Sequence, residues 1–319
     1  MAGAARTAVI AATLALGIAP GVAQDYPTRP IRAVIGFAAG SGADIMCRWF
    51  TTKISELAGQ TLVVENKPGA FASIAHGVVA NAKPDGYTVL LAGSAIITGG
   101  RHLIKDLPFD TNGFIPSAGM TETPFVLVVA AASPVKSVAE LVAHLKGKTR
   151  NRHGYANVTG LVAGAYLKEL TGIVAEPVSY RVATDAVPDI ENGTLDFMII
   201  DGTFAMGPVK AGKVKVLAVM SETRVPALPA IPTMAEAGVP NFNFSPWWAA
   251  YFPAGTPDPI VAKFGVWLTQ AVKAPDTSAF LDRMVLQPWV AEPPVIRARI
   301  EQERKTWDWL AKVANVQPQ

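Results

Sequence analysis

The chain has 319 residues and a formal net charge of +3, from 28 Lys and Arg against 25 Asp and Glu, with no basic tract. That balance excludes nucleic acid as a partner, and a single cysteine excludes an intramolecular disulfide. The four histidines are scattered without metal-ligand spacing, and no cofactor motif is present. This length fits two packed domains better than one core.

Residues 1–23 read as a secretory signal: Arg6 supplies the positive region, 8–18 the apolar stretch and Gly21-Val22-Ala23 the cleavage site, so that the mature chain starts near Gln24. No cysteine stands there to carry a lipid, and no later stretch has the roughly 20 apolar residues of a membrane span. The expected compartment is the periplasm.

Residues 31–37 form a β-branched, apolar run that stops at a small-residue loop, Ala38-Ala39-Gly40-Ser41-Gly42-Ala43, ahead of Asp44. Met46, Phe50, Ile54 and Leu57 then recur on one helical stripe. A strand that feeds a glycine loop and a helix aims unpaired backbone N–H groups at the space above the strand. The positive end of the helix dipole points the same way, a geometry suited to an anion. No lysine follows the loop, and Gly36-x-x-x-Gly40-x-Gly42 is not the dinucleotide fingerprint. A small carboxylate fits; an ordinary strand-to-helix turn is the competing reading. Cys47, in the first turns of the helix, reads as a small packed residue in preference to an activated thiol.

A strand at 61–65, a turn at Asn66-Lys67-Pro68-Gly69 and a helix over about 72–81 follow, and Pro84-Asp85-Gly86 leads into a strand at 87–92 that ends at Gly93-Ser94. A second set opens at Phe125-Val126-Leu127-Val128-Val129, with Ser137-x-x-Glu140 as the capping box of the next helix. Residues 153–156 read as a short strand ending in the polar loop Asn157-Val158-Thr159-Gly160, with a helix to Leu170. Strands are expected at 175–178, 195–200, 214–220 and 244–252, with prolines punctuating 224–240. The last helix, at 293–313, puts Ile296, Ile300, Trp307 and Leu310 on one stripe. This alternation predicts parallel, buried sheets with helices on both faces. Two such sets, each opening on a polar loop ahead of a helix, predict an α/β chain of two lobes. The ligand is expected in the interlobe cleft, beyond the carboxyl ends of the strands, with the lobes closing over it.

The order Tyr26-Pro27-x-x-Pro30-Ile31-Arg32, then 37–44, then Val64-Glu65-Asn66-Lys67-Pro68-Gly69-Ala70 resembles the substrate-binding proteins of tripartite tricarboxylate transporters, the Bug family. Pro84-Asp85-Gly86-Tyr87-Thr88, Leu107-Pro108-Phe109-Asp110, Lys210-Ala211-Gly212-Lys213 and Pro253-Ala254-Gly255-Thr256-Pro257 continue the resemblance in the same order, over nearly all of the mature chain. It implies a type II periplasmic binding fold, with 24–124 and 250–319 as lobe 1, 125–249 as lobe 2, and crossings near 123–125 and 248–250. It also implies a monomeric, non-enzymatic receptor that delivers a small carboxylate to integral-membrane transporter subunits.

In that family one ligand carboxylate is gripped between two loops, here 38–44 and 157–160. The family's Pro-Pro-Gly-Gly reads Ala38-Ala39-Gly40-Ser41 in this chain, and Ala43 replaces a threonine whose hydroxyl Ser41 can supply. The family's His and Asn-Pro after Ser94 are absent, its Pro-Tyr-Lys-Gly turn reads Ser179-Tyr180-Arg181-Val182, and Phe71 stands where it has glycine.

The expected ligand-binding set is Phe37, Ser41, Gly42, Ala43, Asp44, Ser94, Asn157, Thr159, Gly160, Arg181, Asp201 and Trp248. Asp44 reads first as a stabiliser of the helix dipole, worth roughly 0.3–1 kcal/mol. Arg181 is the candidate second-carboxylate anchor by its bidentate geometry, against a solvated surface arginine. Asp201 repels an acid unless it accepts from a ligand hydroxyl or orders its neighbours. Strand alternation turns one of Trp247 and Trp248 to the cleft, and Trp248 is the expected one. Loss of polar residues in the distal loops, beside Phe71, Trp247 and Trp248, favours an aromatic carboxylate or a dicarboxylate such as terephthalate. Two other outputs are open: a ligand sensor for a membrane signalling partner, and an exported α/β hydrolase. Against the hydrolase stand the missing G-x-S-x-G elbow and the scattered His76, His102, His144 and His153.

Overall fold

The computed structural model describes residues 26–240, 242, 245–316 and 318. The expected signal segment lies outside them, as does Phe244, the expected start of a strand.

The first lobe takes β1 (Ile31–Ile35), α1 (Gly42–Ala58), β2 (Leu62–Asn66), α2 (Ser73–Ala80), β3 (Thr88–Gly93), α3 (Ser94–Leu103) and β4 (Phe114–Glu122) before the chain leaves it. The second holds β5 (Phe125–Ala130), α4 (Val138–Lys146), β6 (Arg152–Tyr155), α5 (Val158–Thr171), β7 (Glu176–Ser179), α6 (Val187–Glu191), β8 (Phe197–Asp201), α7 (Gly202–Lys210) and β9 (Val214–Val219). The chain then returns for β10 (Trp247–Pro253), α8 (Asp258–Lys273), α9 (Pro275–Met284), β11 (Gln287–Pro288) and α10 (Pro293–Val313).

The two sheets run β11-β4-β10-β3-β1-β2 and β7-β6-β8-β5-β9. They are mixed, not wholly parallel as the strand–helix alternation predicts. β1 pairs parallel with β2 and β3, and β6 with β7 and β8. β10 runs antiparallel to β3 and β4, and β5 antiparallel to β8 and β9. The reversal has a simple cause. β5 and β10 enter their lobes from the crossings and therefore start at the cleft, whereas the strands that lead into helices end there. The expected lobe boundary at 249/250 falls inside β10, whose 7 residues all pair with β4 in the first sheet. Trp247 to Ala249 thus belong to lobe 1, and the second crossing lies before Trp247.

Among the elements that carry no sequence signal strong enough to read are β4, α3 and α7. Gly99 and Gly100 weaken the helical pattern of α3, and Pro208 interrupts that of α7. Gly99 is there for packing. A methyl group on it would lie 2.5 Å from the Trp307 ring of α10.

Each sheet buries apolar clusters on both faces. A further cluster joins the lobes: Ile96 and Leu103 of α3 and Val162 of α5 pack with Trp307 and Leu310 of α10. The crossings lie side by side, with Thr123 N–H donating to the Pro246 carbonyl at 2.7 Å and Gly202 N–H to Pro124 at 2.9 Å. Arg299 of α10 ties both down. It donates to Glu122 at the end of β4, to Glu303 (3.1 Å) and to the Ser245 carbonyl (3.1 Å). Its guanidinium lies 4.8 Å from the Trp289 ring and 5.4 Å from that of Trp247. Trp247 Nε1 donates to Glu303 at 2.6 Å. Burial pushes the Glu303 carboxyl up against the pull of Arg299.

Replacing Arg299 by Met leaves two partly buried carboxylates without their cation. The expected loss is on the order of 3 kcal/mol, read by urea denaturation. Adding Glu303→Gln to that variant should recover part of it, because the stranded charge is then gone.

Candidate functional site

A cavity of about 660 Å³ lies between the lobes. Each of β1, β3, β6 and β8 ends at it and hands over to a helix: α1, α3, α5 and α7. β1 is paired with β3 and β6 with β8, so each lobe presents two adjacent helix N-termini to the same space. Ser41, Ser94, Asn157 and Asp201 stand at these four starts and line the cavity. No Lys, Arg or His is among the described lining residues. Each helix N-terminus carries about half a positive charge, and among the described lining residues no cationic side chain adds to it.

The caps set what is left for a ligand. Ser41 Oγ accepts from Asp44 N at 3.2 Å, Asn157 Oδ1 from Gly160 N at 2.9 Å, and Asp201 Oδ1 from Phe204 N at 2.8 Å. The residue before α3, Gly93, offers no side-chain cap, so the first-turn amides of α3 face the cavity without one. The Ser94 hydroxyl and the Trp248 indole N–H have no hydrogen-bond partner among the described residues. Both residues line the cavity, at 5 % and 7 % exposure. The Trp248 indole lies against Gly93, where a methyl group would come within 3.4 Å of it, and stacks at a tilt on Phe37 with centroids 5.3 Å apart. Trp247 faces the other side of β10, toward Glu303.

The 38–44 loop is organised from beneath. Asp44, 2 % exposed, accepts from Gly40 N (2.8 Å), Arg48 Nε (2.9 Å) and Asn66 Nδ2 (2.8 Å), and Asn66 also holds the Phe37 carbonyl at 2.9 Å. Gly40 has φ +79°, a left-handed turn that glycine alone adopts cheaply. Gly42 has no such need. A methyl group there would sit in ordinary contact, 3.8 Å from Thr203 Cγ2 across the cleft and 3.9 Å from Met284 Cε of its own lobe. The Thr203 hydroxyl donates to the Met284 carbonyl, joining α7 to α9 across the lobes.

A second loop closes the rim. Ala70, Phe71 and Ala72 have φ +43°, +53° and +76°, a left-handed run that costs roughly 1–2 kcal/mol per L-residue. Ala72 presses on the exit of β1, where a methyl group on Gly36 would lie 2.2 Å from its Cβ. The Ala72 carbonyl bonds His76 Nδ1 at 2.9 Å. A carbonyl only accepts, so Nδ1 carries the hydrogen. Burial holds this imidazole neutral, its pKa lowered to about 4.

Three expected ligand residues do not line the cavity. Asp44 is buried under its loop and shapes it. Gly160 packs α5 on β8, where a methyl group would lie 2.7 Å from the Ile199 carbonyl. Arg181 is exposed beyond β7, the edge strand of its sheet, while the preceding Tyr180 turns inward to bond Asp189 at 2.6 Å. The expected polar loop 157–160 is a cap followed by the first turn of α5. Cys47 is fully buried and its thiol is pushed up by that burial, so it is no nucleophile. The sequence reading misses Phe125, Phe204, Met284 and Leu286, which reach the wall from the crossing, α7 and the α9–β11 turn. Only tertiary contact brings them in. Burial raises the Asp201 carboxyl, against the Phe204 amide that lowers it.

Hydrogen bonds from Arg48, assisted by Asn66 and Gly40, lower the Asp44 pKa from 3.8 to about 2 against the opposing effect of burial. The folded protein therefore binds this proton less readily than the unfolded chain. Asp44 contributes its full stability above pH 3.8 and loses it as the pH falls towards 2. Asp44→Asn should be less stable at pH 7 and decline less steeply between pH 4 and 2, measured by urea denaturation at stepped pH.

The tripartite tricarboxylate transporter family receptor model matches residues 46–315. BugT of Bordetella pertussis is 30% identical over 298 residues, 91% of each chain. The periplasmic binding protein BugD superposes with a TM-score of 0.77 at 29% identity, over 92% of this chain and 100% of its own. An R. palustris protein with adipate gives 0.81 at 28% identity, over the same 92% and 100%. The two sheets and the cleft between them are thus the two-lobe architecture of periplasmic binding proteins, in receptors and not in enzymes. The chain belongs to the tripartite tricarboxylate transporter receptor family.

Proposed function

We propose that the cavity captures a small organic carboxylate in the periplasm and that the protein delivers it to a tripartite tricarboxylate-type membrane transporter. The observation that carries this reading is the convergence of four helix N-termini on an apolar cavity with no basic side chain among its described lining residues. One carboxylate lies between the α1 start, with Ser41, Gly42 and Ala43, and the α5 start, with Asn157 and Thr159. Charge-assisted hydrogen bonds contribute roughly 1.5–3 kcal/mol each, so a few support micromolar binding after association costs of several kcal/mol. The far end of the ligand meets Ser94, Trp248 and the uncapped α3 start. Asp201 caps α7 and faces the ligand body, where it accepts from a hydroxyl if one is present.

Phe37, Phe125, Phe204 and Trp248 make much of the wall aromatic. That favours a flat aromatic acid, with terephthalate as the probe of choice. The adipate-bound relative supports a carboxylate in this cleft. Among the described residues no helix is long and apolar enough to cross a membrane, and the sequence reading of 1–23 as a secretory signal supports export.

Calorimetric titration with terephthalate tests the clamp. Gly42→Val should lower affinity tenfold or more, about 1.4 kcal/mol, with circular dichroism confirming the fold. Terephthalamide, which keeps the shape and lacks the charge, should not bind the unaltered protein. Normal binding by folded Gly42→Val would place the carboxylate elsewhere.

A further inference from the structure

We propose that Phe71 sets the specificity of the cavity, and that the left-handed turn at 70–72 is maintained to hold its ring as a lid over a flat aromatic acid. This rests on the carboxylate reading of the cleft and says which carboxylates it prefers.

The backbone comes first. Three consecutive L-residues at φ +43°, +53° and +76° persist only where their surroundings over-determine them. Here the surroundings do so from several sides. Ala72 N–H closes the turn on the Gly69 carbonyl at 2.9 Å, and His76 holds the Ala72 carbonyl from the buried side. His76 is itself packed between Phe109, stacked with centroids 5.8 Å apart, and Phe114, edge-on at 5.8 Å. Gly36 leaves the space that Ala72 fills.

The residue at the centre of this turn gains nothing from the core. Phe71 is 41 % exposed, yet it lines the cavity. Phe37, the other exposed ring of the wall at 39 %, leans on Trp248, whereas Phe71 has no ring partner among the described residues. A fold that forces a left-handed phenylalanine to its surface beside the interlobe cavity is positioning that ring for something that arrives later. A bound aromatic acid supplies the missing face. It removes the Phe71 ring from water and gives it an offset or edge-on partner. An aliphatic acid of similar length offers less surface and no π-face.

Glycine at position 71 would relax the backbone, and any residue smaller than phenylalanine would remove the lid. Stability and selectivity therefore pull in opposite directions at this position. Titrations of wild type, Phe71→Ala and Phe71→Gly with terephthalate and adipate separate the two effects. Both variants should lose about tenfold in terephthalate affinity while adipate changes by less than about threefold. In the ligand-free state Phe71→Gly should melt about 2–4 °C above Phe71→Ala, because it alone relieves the left-handed φ. An unchanged terephthalate-to-adipate ratio in both variants overturns the proposal and leaves the carboxylate reading standing. Equal melting of the two variants overturns the claim that the turn is held under strain. A wild-type protein that binds neither acid overturns this proposal and the carboxylate reading together.

Discussion

Bringing four helix N-termini to one space is the constraint on which the rest of the molecule depends. A helix start attracts an anion only within about a turn of its end, so the strands that feed these helices have to stop at the same plane. Pairing β1 with β3 and β6 with β8 accomplishes this in each lobe. The strands that carry the chain in from the crossings must then run the other way, which is why both sheets are mixed. With no cation in the described wall, attraction comes from peptide dipoles fixed by the fold, which need no reorganisation when a ligand enters. The ion pairs lie elsewhere, beneath the first loop where exposed Arg48 meets buried Asp44, and around Arg299 beside the crossings. Asp201 is the one ionisable side chain among the described lining residues, and it is turned to capping α7.

Where local signals agree, the sequence is readable. The β-branched run, glycine loop and apolar stripe of 31–57 give β1 and α1 with a slip of one or two residues, though Leu57 of that stripe is exposed, and the stripe on 293–313 coincides with α10. α3 is hard to read because Gly99, one of the two glycines that weaken its pattern, answers to Trp307, more than 200 positions away in the chain. Arg181 fails as an anchor for the same kind of reason. A bidentate side chain can be recognised in a sequence, but the distance from an edge strand to the cleft cannot. Asp44 shows the converse. Its position near a helix start is visible in the sequence, yet only its three donors show that it belongs to the loop's foundation. Phe71 is conspicuous as a large residue in a turn, and its left-handed backbone is not legible at all.

The hinge shows how few groups govern the relation of the lobes. Thr123 and Pro246 join the two crossings directly, and Arg299 fastens both to α10. α10 in turn rests on α3 in one lobe and faces α5 in the other. A single surface helix thus serves as brace for the hinge and as wall for the seam.

That seam is apolar, built from Ile96, Leu103, Val162, Trp307 and Leu310, whereas the attraction for an anion comes from helix dipoles in the cavity wall. Added salt screens the second and scarcely touches the first. Cooling weakens hydrophobic contact and leaves the dipoles in place. Ionic strength therefore acts on how the cleft gathers an anion, and temperature on the apolar contact between the lobes.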